Sequence, residues 1–551
     1  MESAHIVYSS YPKVHIPEVN LLDFVFESQK NFSQEELNRP WIVDVPSGKS
    51  VTFRQAKYDA QKIASGLVKL GFKKGDLLFF VTTAMTELYL FKLAVWMLGG
   101  GVKGTSAVES HEHYLHQINE MQIKYVLTDC ETHEFIKKAI DDSNCRGVKF
   151  FSCGEVAVQG TVHISKLLSE DAIVLPEVNV DVRNDTLVIC NTSGSTGMPK
   201  GVVHTHYSFT ANLIMMEALK MRHSIMEFVI NYGVVNVCLA MYSLKYGLTV
   251  YHLNKFDKNT YLSALLSFKP RSIVLYPYLA ASFARDPILS DVRQQGFLKH
   301  VMIAGWVLDS TTAALLSKNL PDTHIQQVYG MSEILYATAT EIQDSGEAAK
   351  VPTIKIEGQT FTSSGSILAN IEAKILDLET KELKPPLKEG VLYIRTPGMM
   401  RGYFRSSNGT IKSDIDQDGW ICTGDVAFFD THGRIYLKER ANFMYKYLSH
   451  IIAPSEIECL LQEHPAVMAA GVVGLPNLET NNVTKAYVVL KAGQHCTPEE
   501  LCAFVANKMP VHKQLHAGAK IVEKLPANRG GKLDRRALKD MALKKCEKIC
   551  C

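Results

Sequence analysis

The chain has 551 residues, 46% apolar and 21% charged, and its 59 basic and 57 acidic side chains leave a formal charge of +2. That length and apolar content require two or three packed domains around a large core. The near-neutral balance excludes a charge-driven nucleic-acid binder.

The N-terminal Met1-Glu2-Ser3-Ala4-His5 has neither a basic nor an apolar region, so no signal peptide is expected. Val51-Thr52-Phe53 leads into an amphipathic helix, with Ala56, Ala60, Ile63, Ala64, Leu67 and Val68 on one face and Gly71 as its end. Residues 76–81 read as a strand, 88–97 as a helix that stops at three consecutive glycines, and 125–129 as another strand. Strand and helix signals alternate past residue 280, which predicts parallel sheets with crossover helices. The twelve cysteines lack the C-x-x-C spacing of a zinc site, as expected of reduced thiols in an intracellular protein.

Residues 186–190, Thr-Leu-Val-Ile-Cys, read as a buried strand. The chain then runs Asn191-Thr192-Ser193-Gly194-Ser195-Thr196-Gly197-Met198-Pro199-Lys200-Gly201. Three glycines let successive N–H groups turn toward one point, four hydroxyls add donors, and Lys200 adds a mobile cation. Such a loop suits the phosphates of a nucleotide. It lacks the Gly-Lys-Ser/Thr ending of the P-loop.

Residues 228–244 carry no charge and lie between Glu227 and Lys245. At the short limit for a membrane span, with Asn231, Asn236 and Ser243 inside it, the segment reads as a buried strand–helix piece of an α/β core. Near residue 385 short strands between turns take over, among them 390–395 and 433–437. After about residue 440 a compact α/β unit begins, with a helix at 455–463 and strands at 469–473 and 486–490. Thr497-Pro498-Glu499-Glu500 starts a further helix, with the Thr as cap and Glu three residues on. The predicted architecture is α/β. A large N-terminal domain (1–440), of parallel-type sheets, helices and a small β-rich part, precedes a small mobile α/β C-terminal domain (441–551).

The order Ser-Gly-Ser-Thr-Gly-x-Pro-Lys-Gly resembles the signature of the adenylate-forming superfamily, which holds acyl-CoA synthetases, plant coumarate ligases and beetle luciferases. Three later segments extend the resemblance to roughly residues 30–540. Tyr329-Gly330-Met331-Ser332-Glu333 is similar to its Y-G-x-T/S-E motif, residues 419–425 to its G-W-x-x-T-G-D, and residues 526–534 to its late Gly-Lys segment. The resemblance implies that Thr192, Ser193, Gly194, Ser195, Thr196, Gly197 and Lys200 hold ATP phosphates. It implies that Tyr329 and Gly330 meet the adenine, that Ser332 contacts the α-phosphate, and that Glu333 holds Mg²⁺. Asp425 and Arg440 would take the ribose. Lys532 would reach the reacting carboxylate and α-phosphate, and Lys446 would lie on the face that forms the thioester with CoA. The expected activity is ATP-dependent ligation of a carboxylic acid to CoA through an acyl-adenylate. Similarity to the insect luciferase-like branch implies a fatty acid.

Several positions depart from that pattern. Asn231 or Tyr232 stands where relatives have a His before a Gly. Trp306 and Val328 replace small residues, Asn442 a hinge Lys or Asp, and Ser449 a Gly. A weakened paralogue that keeps nucleotide or acyl binding is therefore an alternative, and a luciferase-type monooxygenase a more remote one. The tail ends Lys548-Ile549-Cys550-Cys551, not a Ser-Lys-Leu-type signal, so cytoplasm and peroxisome both stay open. Cys546, Cys550 and Cys551 beside Lys544, Lys545 and Lys548 offer a possible peripheral membrane contact.

Overall fold

The structure, a computed structural model, describes residues 5–169, 171, 174–192, 200–228, 231–254, 256–342, 347–356, 358–404, 411–448, 450–527 and 533–546. Two nine-stranded sheets form its bulk. In the first, Thr186–Asn191, Gly101–Gly104, Leu77–Val81, Tyr125–Thr128 and Lys149–Ser152 run parallel. Gly201–Thr205 returns antiparallel beside Thr186–Asn191, with Gly201 opposite Asn191. The Gly/Ser/Thr loop is therefore the connection of a hairpin at one end of this sheet. Gly402–Phe404 adds the next antiparallel strand.

In the second sheet Pro40–Asp44, Thr249–His252, Ser224–Glu227, Ser272–Leu275, His300–Ala304 and His324–Tyr329 are all parallel. Their carboxyl ends line one edge, where Glu227, Leu275, Ala304 and Tyr329 terminate neighbouring strands. Such an edge is where open α/β sheets bind ligands.

The helices Met85–Met97 and Val234–Tyr246 are buried almost all round, which is why their sequences are apolar on every face. Tyr89 donates to Asn236 Oδ1 (2.5 Å), and the Trp41 indole donates to the Ala240 carbonyl (3.1 Å). Most of the uncharged stretch 228–244, from Val234 on, is thus a core helix. No helix among the described residues is long and apolar enough to cross a membrane.

A five-stranded antiparallel sheet pairs Ile6–Tyr8, Glu372–Leu376, Gly390–Arg395, Ile421–Phe429 and Ile435–Arg440. The C-terminal unit has the helices Pro454–Gln462, Pro498–Ala506 and Arg535–Cys546 and a three-stranded sheet. Thr497 caps the second helix and Glu500 bonds back, as predicted. The strands read at 469–473 and 486–490 are longer, Val467–Asn477 and Asn481–Leu490, paired down to Asn477 opposite Asn481. Gly474 and Pro476 interrupt the apolar pattern there, so only the pairing itself extends the hairpin.

Burial pushes the imidazoles of His204, His206 and His300 down to about 4. Each is neutral in the fold and takes up a proton once unfolded below about pH 6.5. Their contribution is therefore complete above pH 6.5 and is lost as pH falls toward 4. In His300→Gln the difference in unfolding free energy between pH 7 and pH 5 should shrink by about 2 kcal/mol. Chemical denaturation at the two pH values measures it.

Candidate active site

The three sheets meet around the end of the strand His324–Tyr329. Tyr329, its last residue, is buried, and its hydroxyl donates to Asp425 Oδ2 at 2.6 Å. Asp425 is 0% exposed and lies opposite Arg440 on the neighbouring strand, whose Nε is 2.7 Å from Oδ1. Thr423 Oγ accepts from the Asp425 N–H (3.1 Å), and Gly424 between them has φ +73°, a conformation that favours glycine. Burial and the adjacent carboxylate hold the Tyr329 hydroxyl far above its ordinary range. Arg440 raises itself likewise through Asp425, against the cost of its own burial.

Glu333 forms the second centre. It is 8% exposed, and Tyr403 donates to its Oε1 at 2.8 Å. Burial pushes this carboxyl up, opposed by the Tyr403 bond and the charges of Arg440 and Lys200. The Lys200 ammonium lies 4.8 Å from the centre of the Tyr403 ring. The segment is fastened to the first sheet twice. The Met400 N–H donates to the Glu333 carbonyl (2.7 Å), and His204 Nε2 stands 2.7 Å from the Ser332 carbonyl. A carbonyl only accepts, so the neutral His204 carries its proton on Nε2.

Gly330 is required by space. A Cβ there would lie 1.6 Å from the carbonyl oxygen of Leu335, which itself has φ +55°. Gly330→Ala must therefore displace backbone between Tyr329 and Glu333. Any activity that uses the Tyr329–Glu333 segment should fall at least about a hundredfold, with little change in the melting of the C-terminal unit. Steady-state kinetics with calorimetry checks both.

At the ends of the Gly/Ser/Thr loop Thr192 N–H donates to the Lys200 carbonyl (3.0 Å), and Lys200 N–H points back to Thr192 Oγ (3.4 Å). These two residues close the base of the loop. Ser193, Gly194, Ser195, Thr196 and Gly197 lie outside the described residues, as do Lys532, Ser449, Cys550 and Cys551. Lys446 is exposed and pairs with Glu379 at 3.6 Å.

Asn231 is bonded within the fold. Its amide donates to the Thr82 carbonyl (2.6 Å), and its own carbonyl accepts from Lys92 Nζ (3.0 Å). Lys92 is fully buried over the rings of Phe80 and Tyr89, and burial pulls it down to about 7. Tyr232, half-buried and bonded to Ser106, follows in the turn before the helix Val234–Tyr246. Trp306 is also half-buried, just after the strand His300–Ala304. Tyr403, His204 and Lys92 carried no sequence signal, because each acts across a long stretch of chain.

The AMP-binding enzyme family profile matches residues 29–404, and the profile of the AMP-binding enzyme C-terminal domain matches residues 456–532. The chain is 27% identical to 4-coumarate–CoA ligase-like 1 of Arabidopsis thaliana, over 98% of each chain. It is 28% identical to the luciferin 4-monooxygenase of Nipponoluciola cruciata, over 68% of this chain and 66% of that one. The fold superposes on ATP-bound MatB from Rhodopseudomonas palustris with TM-score 0.82 at 18% identity, covering 95% of this chain and 99% of that one.

Proposed function

The chain belongs to the AMP-binding enzyme family, and from that premise we propose that it activates a carboxylic acid as its adenylate and passes the acyl group to CoA. The acid's carboxylate oxygen attacks the α-phosphorus of ATP and pyrophosphate leaves. The CoA thiolate then attacks the acyl carbon and AMP leaves. The observation that carries this reading is the adjacency of two groups, Tyr329–Asp425–Arg440 and Glu333–Tyr403–Lys200.

Asp425 offers two carboxylate acceptors in a fixed position, suited to a diol, with Arg440 holding its charge. Tyr329 presents its ring beside them. Thr192, residues 193–197 and Lys200 would receive the phosphates, and Lys200 neutralises their charge. Glu333 is an oxygen donor on the phosphate side with one oxygen engaged by Tyr403, which fits a hard cation. Mg²⁺ held there would screen the phosphate charge. The raised affinity of Glu333 for a proton falls when such a cation or Lys200 lies close.

The domains 1–440 and 441–551 turn about residues 440–442 between the two half-reactions in this reading. Lys532 serves the adenylation and Lys446 the thioester step. Sequence similarity to both coumarate ligase-like and luciferase proteins supports acid activation without choosing the acid. The test is release of AMP and formation of a thioester with fatty and aromatic acids, each with and without CoA. Release that requires both acid and CoA is expected. AMP release unaffected by every acid would overturn the reading.

A further inference from the structure

Lys103, on the strand Gly101–Gly104, is 0% exposed, and its ammonium has no hydrogen-bond partner among the described residues. Buried charges are ordinarily paired, because an ammonium taken out of water with nothing in the water's place destabilises the fold. The sheet fixes where this one lies. Lys103 stands opposite Ile189 on the neighbouring strand, and a Cβ built on Gly201, one strand further on, would lie 3.7 Å from its Nζ. Gly201 directly follows Lys200 and pairs with Asn191. The ammonium is therefore beside the neck of the Gly/Ser/Thr hairpin, which Thr192 and Lys200 close.

The groups around it are otherwise engaged. Asn191 turns its amide N–H groups to the Gly104 carbonyl (3.2 Å) and to Gln117 Oε1 (2.9 Å). On the helix His111–Met121, Glu120 is the acid whose charge reaches Lys103, and it is partly exposed and pairs with His116 (3.5 Å). On the strand Thr186–Asn191, burial pushes the Cys190 thiol up to about 12, so it stays neutral. On the return strand His204 is neutral as well, and Lys200 beside Gly201 adds a second cation. Burial pulls Lys103 down to about 8, which leaves it mostly charged at pH 7.

We propose that Lys103 is a positioning residue for polyphosphate, a buried cation beside the hairpin neck whose counter-charge arrives with the nucleotide. This rests on the acid-activating reading above for the identity of the anion. Lys103 acts through its field, not by touching the reacting atoms. Its side chain is already held in the core, so attracting an anion costs it no further ordering. In a site of low dielectric the attraction for a multiply charged anion falls off slowly with distance. A charge that is uncompensated in the free protein and compensated in the complex weakens the first and strengthens the second. Removing it therefore moves stability and affinity in opposite directions, which the loss of an ordinary structural contact does not do.

The test compares the wild type with Lys103→Met, which keeps most of the side chain's length and removes its charge. Calorimetric titration with ATP and with inorganic pyrophosphate, and thermal unfolding without ligand, are read at pH 7. Affinity for both anions should fall at least about tenfold, while the melting temperature stays equal or rises. A second readout stands on the wild type alone. A bound anion raises the affinity of Lys103 for its proton, and at pH 8 the free side chain is about half protonated. Binding of ATP at pH 8 should therefore take up about half a proton, read by repeating the titration in buffers of different ionisation enthalpy. Unchanged affinity in Lys103→Met, affinity and melting temperature that fall together, or no proton uptake by the wild type overturns the proposal. Weaker polyphosphate binding in the variant, with proton uptake by the wild type but no acid-dependent pyrophosphate exchange, overturns the acid-activating reading and leaves the role of Lys103 standing.

Discussion

Asp425→Asn weakens ATP binding by about ten- to a hundredfold and leaves the fold intact. The substitution keeps the shape and one acceptor for the Tyr329 hydroxyl. It removes the charge that holds Arg440, and one of the two acceptors offered to a diol. A hydrogen bond to a charged group contributes about 1.5–3 kcal/mol, and about 1.4 kcal/mol is tenfold in affinity. Arg440 is partly exposed, so its share of that loss is discounted for solvent screening. Asp425→Ala is expected to be worse in a second respect. It leaves the buried Tyr329 hydroxyl with no acceptor in that direction, so stability falls with affinity. Calorimetric titration with ATP reads the first effect and thermal unfolding the second. Unchanged ATP affinity in Asp425→Asn would make the Tyr329–Asp425–Arg440 group purely structural.

Arg535→Met should cost about 3–5 kcal/mol, the expected result of removing one partner from a buried charge group. The guanidinium is 10% exposed and lies between Glu439 (3.2 Å) and Glu458, both buried. Glu439 belongs to the strand Ile435–Arg440 of the third sheet, and Glu458 to the helix Pro454–Gln462 of the C-terminal unit. Ser455 reinforces the join, its N–H donating to Glu439 Oε2 (3.0 Å) and its hydroxyl to the Lys438 carbonyl (2.8 Å). Lys438 in turn pairs with Glu456 (2.5 Å) and Glu389 (2.7 Å), and Lys513 with Glu456 (2.6 Å). Burial already pushes Glu439 upward, and Arg535 is the main influence against it. Without Arg535 the two carboxylates face each other in a low-dielectric site, and one takes up a proton.

The clamp spans residues 440–442, so a turn of the C-terminal unit there has to part these groups. Arg535→Met should accordingly be cut by protease near those residues far faster than the wild type. Adding Glu458→Gln should restore part of the loss, because the uncompensated charge is gone. A melting temperature and cleavage rate equal to the wild type's would refute the clamp.

Much of this was legible in the sequence for local reasons. The βα units, the Thr497 capping box and the short motifs that hold Tyr329 with Glu333 and Asp425 are each written in a few consecutive residues. What was not legible depends on pairing between distant ones. Tyr403 reaches Glu333 from seventy positions away, and His204 reaches Ser332 from 128. Nothing near Lys92 indicates that it will hold the Asn231 carbonyl. The sequence left Asn231 and Tyr232 as alternatives for the place of a relative's His, and it gave no hint that Asn231 is bonded to Thr82 and Lys92. Arg535 has the same character. Its neighbours Leu533 and Asp534 belong to a motif, and its partners are 77 and 96 residues away.

Acid-dependent exchange of radiolabelled pyrophosphate into ATP, without CoA, tests acid activation most directly. It reports the reversible formation of an acyl-adenylate and nothing later. The account predicts exchange that requires an acid and falls with Asp425→Asn in step with ATP affinity. A folded protein that binds ATP and supports no exchange with any acid of the panel would contradict it.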